Sequence, residues 1–165
     1  MAGLVSEYIA QLEEMAGYYD ELLDISLEKK EIVIRNELEA LRSLTEKENQ
    51  VIGRFGRAER KRSEILQDMA LVMNRPVESL DLETLCELIQ GPEQAELCKL
   101  RLRIREVTDK LRQANDRNKV LIQNSLDYID FSVNLMRDAV QAEPCFYSAT
   151  GEALMDGKGF FDARQ

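Results

Sequence analysis

The chain reads as all-α: an elongated antiparallel bundle of three long helices plus one short clip helix, with a largely irregular C-terminal tail. Three observations point there. Between residues 97 and 139, one residue falls on a single seam every three or four positions: Leu97, Leu100, Ile104, Val107, Leu111, Ala114, Asn118, Leu121, Ser125, Tyr128, Ser132, Leu135, Ala139. That alternation marks a long helix packed along one face. Only three prolines and eight glycines interrupt 165 residues. The composition, 44% hydrophobic and 32% charged, suits helices with one apolar and one solvated face.

The first helix should run from about Leu4 to the low thirties. Leu4, Tyr8, Leu12, Met15, Tyr19 and Leu22 keep the helical spacing, and Val5, Ile9 and Leu23 widen the face. A turn is expected near Ile34–Asn36, with Asn36 and Glu39 capping the next helix. A capping box at Thr45 and Glu48 would instead let one helix reach Leu44. The second helix carries Leu38, Leu41, Leu44, Val51, Phe55, Ala58, Ile65, Met69 and Val72. Arg62 lies on that seam, so its stem must snorkel or find an acid from the first helix.

Asn74-Arg75-Pro76 should stop the second helix, because proline restricts its predecessor and cannot continue the hydrogen-bond ladder. Asp81 is expected to cap a short helix, Leu82–Gln90, which buries Leu82, Leu85, Leu88 and Ile89. Gly91-Pro92 is a stop-and-restart signal before the last helix. Within that helix Leu100-Arg101-Leu102-Arg103-Ile104-Arg105 alternates with the period of a strand. The much longer helical window around it overrides that alternation. The last helix would then be roughly 70 Å long and the second about 55 Å.

From Ile122 a second apolar stripe runs beside the seam: Ile122, Leu126, Ile129, Val133, Met136 and Val140. An end with two apolar faces either closes a bundle or holds a partner. Six such side chains represent roughly 10–18 kcal/mol of gross burial, too much to leave bare on a monomer. After Val140 the periodicity stops. The domain organisation is therefore a helical bundle over 1–142 and a flexible tail over 143–165, whose aromatics include Phe146, Tyr147, Phe160 and Phe161.

Several function classes fall away. A net charge of −9 opposes nonspecific nucleic-acid binding. Residues 1–28 hold acids and no base, while Arg54, Arg57, Arg60, Lys61 and Arg62 cluster further on; solvated faces or contacts between helices are the expectation for both blocks, with a basic patch for an acidic partner as the alternative. Histidine is absent, which removes the commonest general base and metal ligand. Cys86, Cys98 and Cys145 form neither a CxxC nor an even-numbered framework, so zinc, other metals, cofactors and structural disulfides are not expected. No run of eighteen apolar residues is present, so no membrane insertion is expected, and Met1–Tyr8 lack the plan of a signal peptide. A cytoplasmic protein without enzymatic activity is the reading. Asn118, Ser125 and Ser132 on the last seam set register or make room for bulky neighbours.

In order along the chain, these residues resemble the FlgN family of flagellar type III export chaperones. The likeness starts with an acidic first helix carrying Tyr18-Tyr19-x-x-Leu22-Leu23 and Lys29-Lys30. It continues through Asn36–Glu48, Ala58-Glu59-Arg60-x-Arg62 and the Leu80–Leu88 clip. It is densest in Asn115-x-x-Asn118-x-x-Leu121-Ile122-x-x-Ser125-Leu126-x-Tyr128-Ile129, and Tyr147-x-x-x-Gly151 lies beyond it in the tail. The resemblance implies capture of the hook–filament junction proteins FlgK and FlgL through a C-terminal amphipathic segment. It implies delivery to the export gate component FlhA. Carried over by position, the client surface maps to Ile122, Leu126, Ile129, Val133, Met136, Val140 and Phe146, and the gate contact to Tyr147. A monomer or weak homodimer would serve. A structural homodimeric coiled coil, or a chaperone for another flagellar client, remains the alternative.

Overall fold

A computed structural model describes residues 2–141. Their regular structure is helical: α1 (Ala2–Arg35), α2 (Leu38–Met73), a single 3-10 turn (Val77–Ser79), α3 (Leu82–Leu88) and α4 (Pro92–Gln141). This is the all-α bundle of three long helices and a clip that the periodicities predict. The chain divides into two compact units, Met1–Gln123 and Asn124–Gln165, with the division inside α4. The boundary expected at 142/143 lies at the edge of the described residues, and the tail lies outside them.

The break after α1 falls at the expected place, but Asn36 acts differently. It adopts φ 60°, in the left-handed region. Its N–H donates to the Val33 carbonyl, and the Glu37 N–H donates to the Ile32 carbonyl. These two bonds close the end of α1 as a Schellman motif, with Asn36 in the left-handed position that asparagine tolerates second only to glycine. So Asn36 ends α1 and does not cap α2, whose N-cap is Glu37 with no side-chain cap bond. The Thr45–Glu48 capping box does not form either. Both residues are inside α2; Thr45 Oγ1 donates to the Leu41 carbonyl, and Glu48 pairs with Lys29 of α1 at 2.6 Å. Asn74 repeats the Asn36 solution at the end of α2, with φ 52° and bonds to Leu71 and Ala70.

α1 and α2 run antiparallel, so residues early in one meet residues late in the other. Tyr8 lies beside Arg62, Tyr19 meets Phe55 edge-on at 4.9 Å, and Lys29 meets Glu48. α4 returns alongside α1 in the same direction: Ser6 bonds Glu93, Asp20 pairs with Arg103, and Ser26 bonds Asn115. The period-two stretch is helical, and its arginines serve different neighbours. Arg101 pairs with Glu83 of α3 while Arg103 pairs with Asp20 of α1.

The core of the first unit is densest at the clip end. There Val5, Tyr8, Ile9 and Leu12 of α1 meet Leu66, Met69 and Ala70 of α2, Leu85 and Cys86 of α3, and Leu97 and Leu100 of α4. Leu80 and Ile89, just outside α3, are buried with them. α3 stops at Leu88, two residues short of the expected Gln90, because Ile89 turns extended and buries its side chain. Burial and a hydrogen bond with the Cys98 thiol push the Cys86 thiol up to about 11. It is therefore a thiol at neutral pH and a poor nucleophile in the folded chain.

Asp81 caps α3 as its sequence position predicts, accepting from the Thr84 N–H at 2.7 Å. Asp81→Ala removes the cap of α3 and should lower the melting temperature. An unchanged melt would show that the clip is held by Leu80, Leu85 and Ile89 alone. Gly91 at φ 96° makes the turn that lets Pro92 open α4.

Arg62 finds an acid, though not from the first helix. The acid it finds is on its own helix: its guanidinium donates twice to Glu59, at 2.6 and 2.8 Å. From α1 it takes the Tyr8 hydroxyl, donating at 2.9 Å. The Arg62 hydrogen bond holds the Glu59 carboxyl below the ordinary glutamate value of 4.5, against a smaller opposing effect of burial. A carboxyl depressed in the folded state adds stability above its unfolded pKa and loses it as pH falls through the folded one. Glu59→Gln should therefore cost up to about 1 kcal/mol at neutral pH. The gap from the parent should close as pH falls below the ordinary glutamate value. A gap that persists in acid, measured by urea unfolding, would remove the ion pair as its cause.

Candidate functional site

α4 changes character along its length. Up to Asn118 its seam is inward-facing, with Leu97, Leu100, Val107, Ala114 and Asn118 buried. Leu111, Leu121 and Ser125 are half-buried, and Tyr128, Leu135 and Ala139 are exposed. The seam is thus a core seam only over its first half.

The last buried residue of that seam is polar. The Asn118 side chain is 4% exposed and donates to the Ser26 carbonyl at 2.7 Å and to Ser26 Oγ at 3.0 Å. Ser26 is 1% exposed and donates in turn to Asn115 Oδ1 at 2.8 Å. A buried amide is tolerated only when its bonds are satisfied, and this network fixes α4 against α1 at one register. The register role of Asn118 is therefore made by Ser26, a partner that helical periodicity does not reveal. A half-buried pair, Lys29 and Glu48, lies nearby, beside a cavity of about 370 Å³ that Asn115, Lys119 and Ile122 help to line.

The second unit is described over residues 124–141. Its helix carries apolar groups on both sides: Leu126, Ile129, Val133, Met136 and Val140 on one, Tyr128 and Leu135 on the other, with Phe131 beside them. All of them are exposed. The six residues of the second stripe, from Ile122 to Val140, are between 36 and 71% exposed. They share a helix face, as their spacing requires. Phe146 and Tyr147 lie outside the described residues. This exposed apolar surface lies at the end of the 50-residue helix α4.

Nothing here converges as catalytic groups do. Among the described residues no three of Cys, Asp and Glu gather as metal ligands, and no helix is long and apolar enough to cross a membrane. The lowered pKa of the Glu59 carboxyl comes from a structural contact, the hydrogen bond from Arg62 on the same helix.

A surface on α1 lies beyond the apolar face that the sequence pattern traces. Leu27 and Ile34, seven residues apart and hence on one face, are 52 and 58% exposed. With Leu23 and Ala114, Leu27 lines a groove of about 220 Å³ between α1 and α4. The spacing of Leu27 and Ile34 is visible in the sequence. A face taken to end at Leu23 hides it.

No curated protein and no solved structure matches this chain. A family model does: the one described as FlgN protein matches residues 1–154. That span takes in α1 through α4 and runs on past Gln141, so the likeness is to the whole arrangement of helices and not to one of them. The chain belongs to the FlgN family of flagellar export chaperones.

Proposed function

We propose that this protein captures the hook–filament junction proteins FlgK and FlgL in the cytoplasm and delivers them to the type III export gate. The client presents a C-terminal amphipathic segment, which packs as a helix on Ile122, Leu126, Ile129, Val133, Met136 and Val140, with Phe146 closing over it. Tyr147 makes the contact with FlhA. The chain works by binding alone, with no reaction catalysed, no nucleic acid held and no membrane entered.

The observation that carries this reading is the exposed apolar stripe, in a chain whose family is one of export chaperones. Its energetics suit release as well as capture. If half of the stripe meets the client, about 5–9 kcal/mol of gross burial is set against association costs of about 4–15 kcal/mol.

Calorimetric titration with C-terminal fragments of FlgK and FlgL, repeated after deleting Glu143–Gln165, tests the reading. One-to-one binding that weakens on truncation supports it. Silence with both fragments at two temperatures, together with a dimer that resists dilution, would replace it with a structural coiled coil that uses the same stripe on itself.

A further inference from the structure

We propose that the groove between α1 and α4 is a second docking surface, shaped for a partner helix whose apolar stripe is flanked by carboxylates. It is independent of the 122–140 stripe. Leu23 and Leu27 of α1 and Ala114 of α4 give it an apolar lining, and Ser26 and Asn118 tie its floor together. Leu27 is half-exposed although it lies beside a cavity. The two helices run in the same direction here, so a third helix laid between them would bury the Leu27 face against both.

The charge at the rim selects the occupant. α1 contributes Lys30 and α4 contributes Arg117. Among the described residues, neither has an ion-pair partner within 4 Å, whereas Lys110 on the same groove is held by Glu106. Acids outnumber bases 31 to 22 in this chain, so a groove lined by cations and by no carboxylate runs against the general surplus. Long cationic stems lie along apolar surface and lift their charge to the edge. A helix with apolar groups facing Leu27 and acids three or four positions to either side would satisfy both the lining and the rim. A helix flanked by lysines would be repelled at the same points.

Two synthetic helical peptides with one shared leucine stripe, flanked by glutamates in one and lysines in the other, separate the local field from the global one. The probe is fluorescence anisotropy with the full-length chain at low and moderate salt. The net charge of −9 favours the lysine peptide over the molecule as a whole, so a preference for the glutamate peptide must come from a local cationic site. The expected result is binding of the glutamate peptide at least about fivefold tighter than the lysine peptide, with the preference shrinking as salt rises. Lys30→Glu combined with Arg117→Glu should abolish that preference, with far-ultraviolet helicity retained. The same charge change at the exposed Arg57 and Arg60 should not, and neither should Ile129→Asp. The proposal is overturned if the lysine peptide binds equally or better, or if neither peptide binds. It is also overturned if the Arg57 and Arg60 reversal acts like that at Lys30 and Arg117, or if Ile129→Asp abolishes binding.

Discussion

Ile129→Asp is expected to weaken capture of the FlgK and FlgL fragments by about tenfold or more, equivalent to at least 1.4 kcal/mol, and to leave helicity nearly unchanged. Ile129 is at the middle of the exposed stripe, 48% exposed, so the free chain loses little when it is replaced. The cost appears on binding, when the new carboxylate must leave water for an apolar contact with no cation to meet it. Gross helix loss by circular dichroism would instead make Ile129 part of the fold. Unchanged affinity with unchanged helicity would move the client elsewhere. Val133→Asp, one turn further along the same face, should behave alike, whereas Asp at Lys119, outside the stripe, should have a much smaller effect.

Tyr8→Ala should have the largest effect on stability, about 3–5 kcal/mol. The ring is fully buried at the dense end of the core, among residues from every helix. Its hydroxyl accepts from Arg62, whose guanidinium also lies 5.8 Å from the ring centroid. Burial raises the phenol's pKa above its ordinary value, against the opposing charge of Arg62. Truncation thus opens a cavity and removes one of Arg62's partners together. Tyr8→Phe separates the two, keeping the ring and losing the hydrogen bond, and should cost about 0.5–1.5 kcal/mol. Urea unfolding of both variants and of Arg62→Ala checks this. If Tyr8→Phe costs as much as Tyr8→Ala, the polar contact and not the ring dominates.

The helices themselves are legible from the chain because their periods are long. Over the seam from Leu97 to Ala114, every third or fourth residue is apolar, and no local alternation such as Leu100–Arg105 outweighs that. Breakers are equally plain. Pro76, Pro92 and Gly91 act through covalent geometry, which is the same in any context.

Asn36 shows where local reading stops. Asparagine is a good N-cap and a good left-handed C-terminal residue, and sequence alone does not choose between them. The structure chooses, because Ile32 is buried and α1 must run to Arg35 before the chain can turn. Arg62 is similar: spacing places it on an inner face, but only packing supplies Glu59 and Tyr8 as its partners.

The candidate surfaces divide in the same way. That α4 carries a stripe from Ile122 to Val140 follows from the order of residues, since a helix repeats its faces every 3.6 residues whatever surrounds it. Packing settles the rest: the stripe is exposed, Ser26 satisfies Asn118, and Leu27 opens on a groove with Lys30 and Arg117 at its rim. Periodicity says which residues share a face. Burial and ion pairing depend on what stands opposite that face, and for Asn118 the opposite residue is 92 positions away.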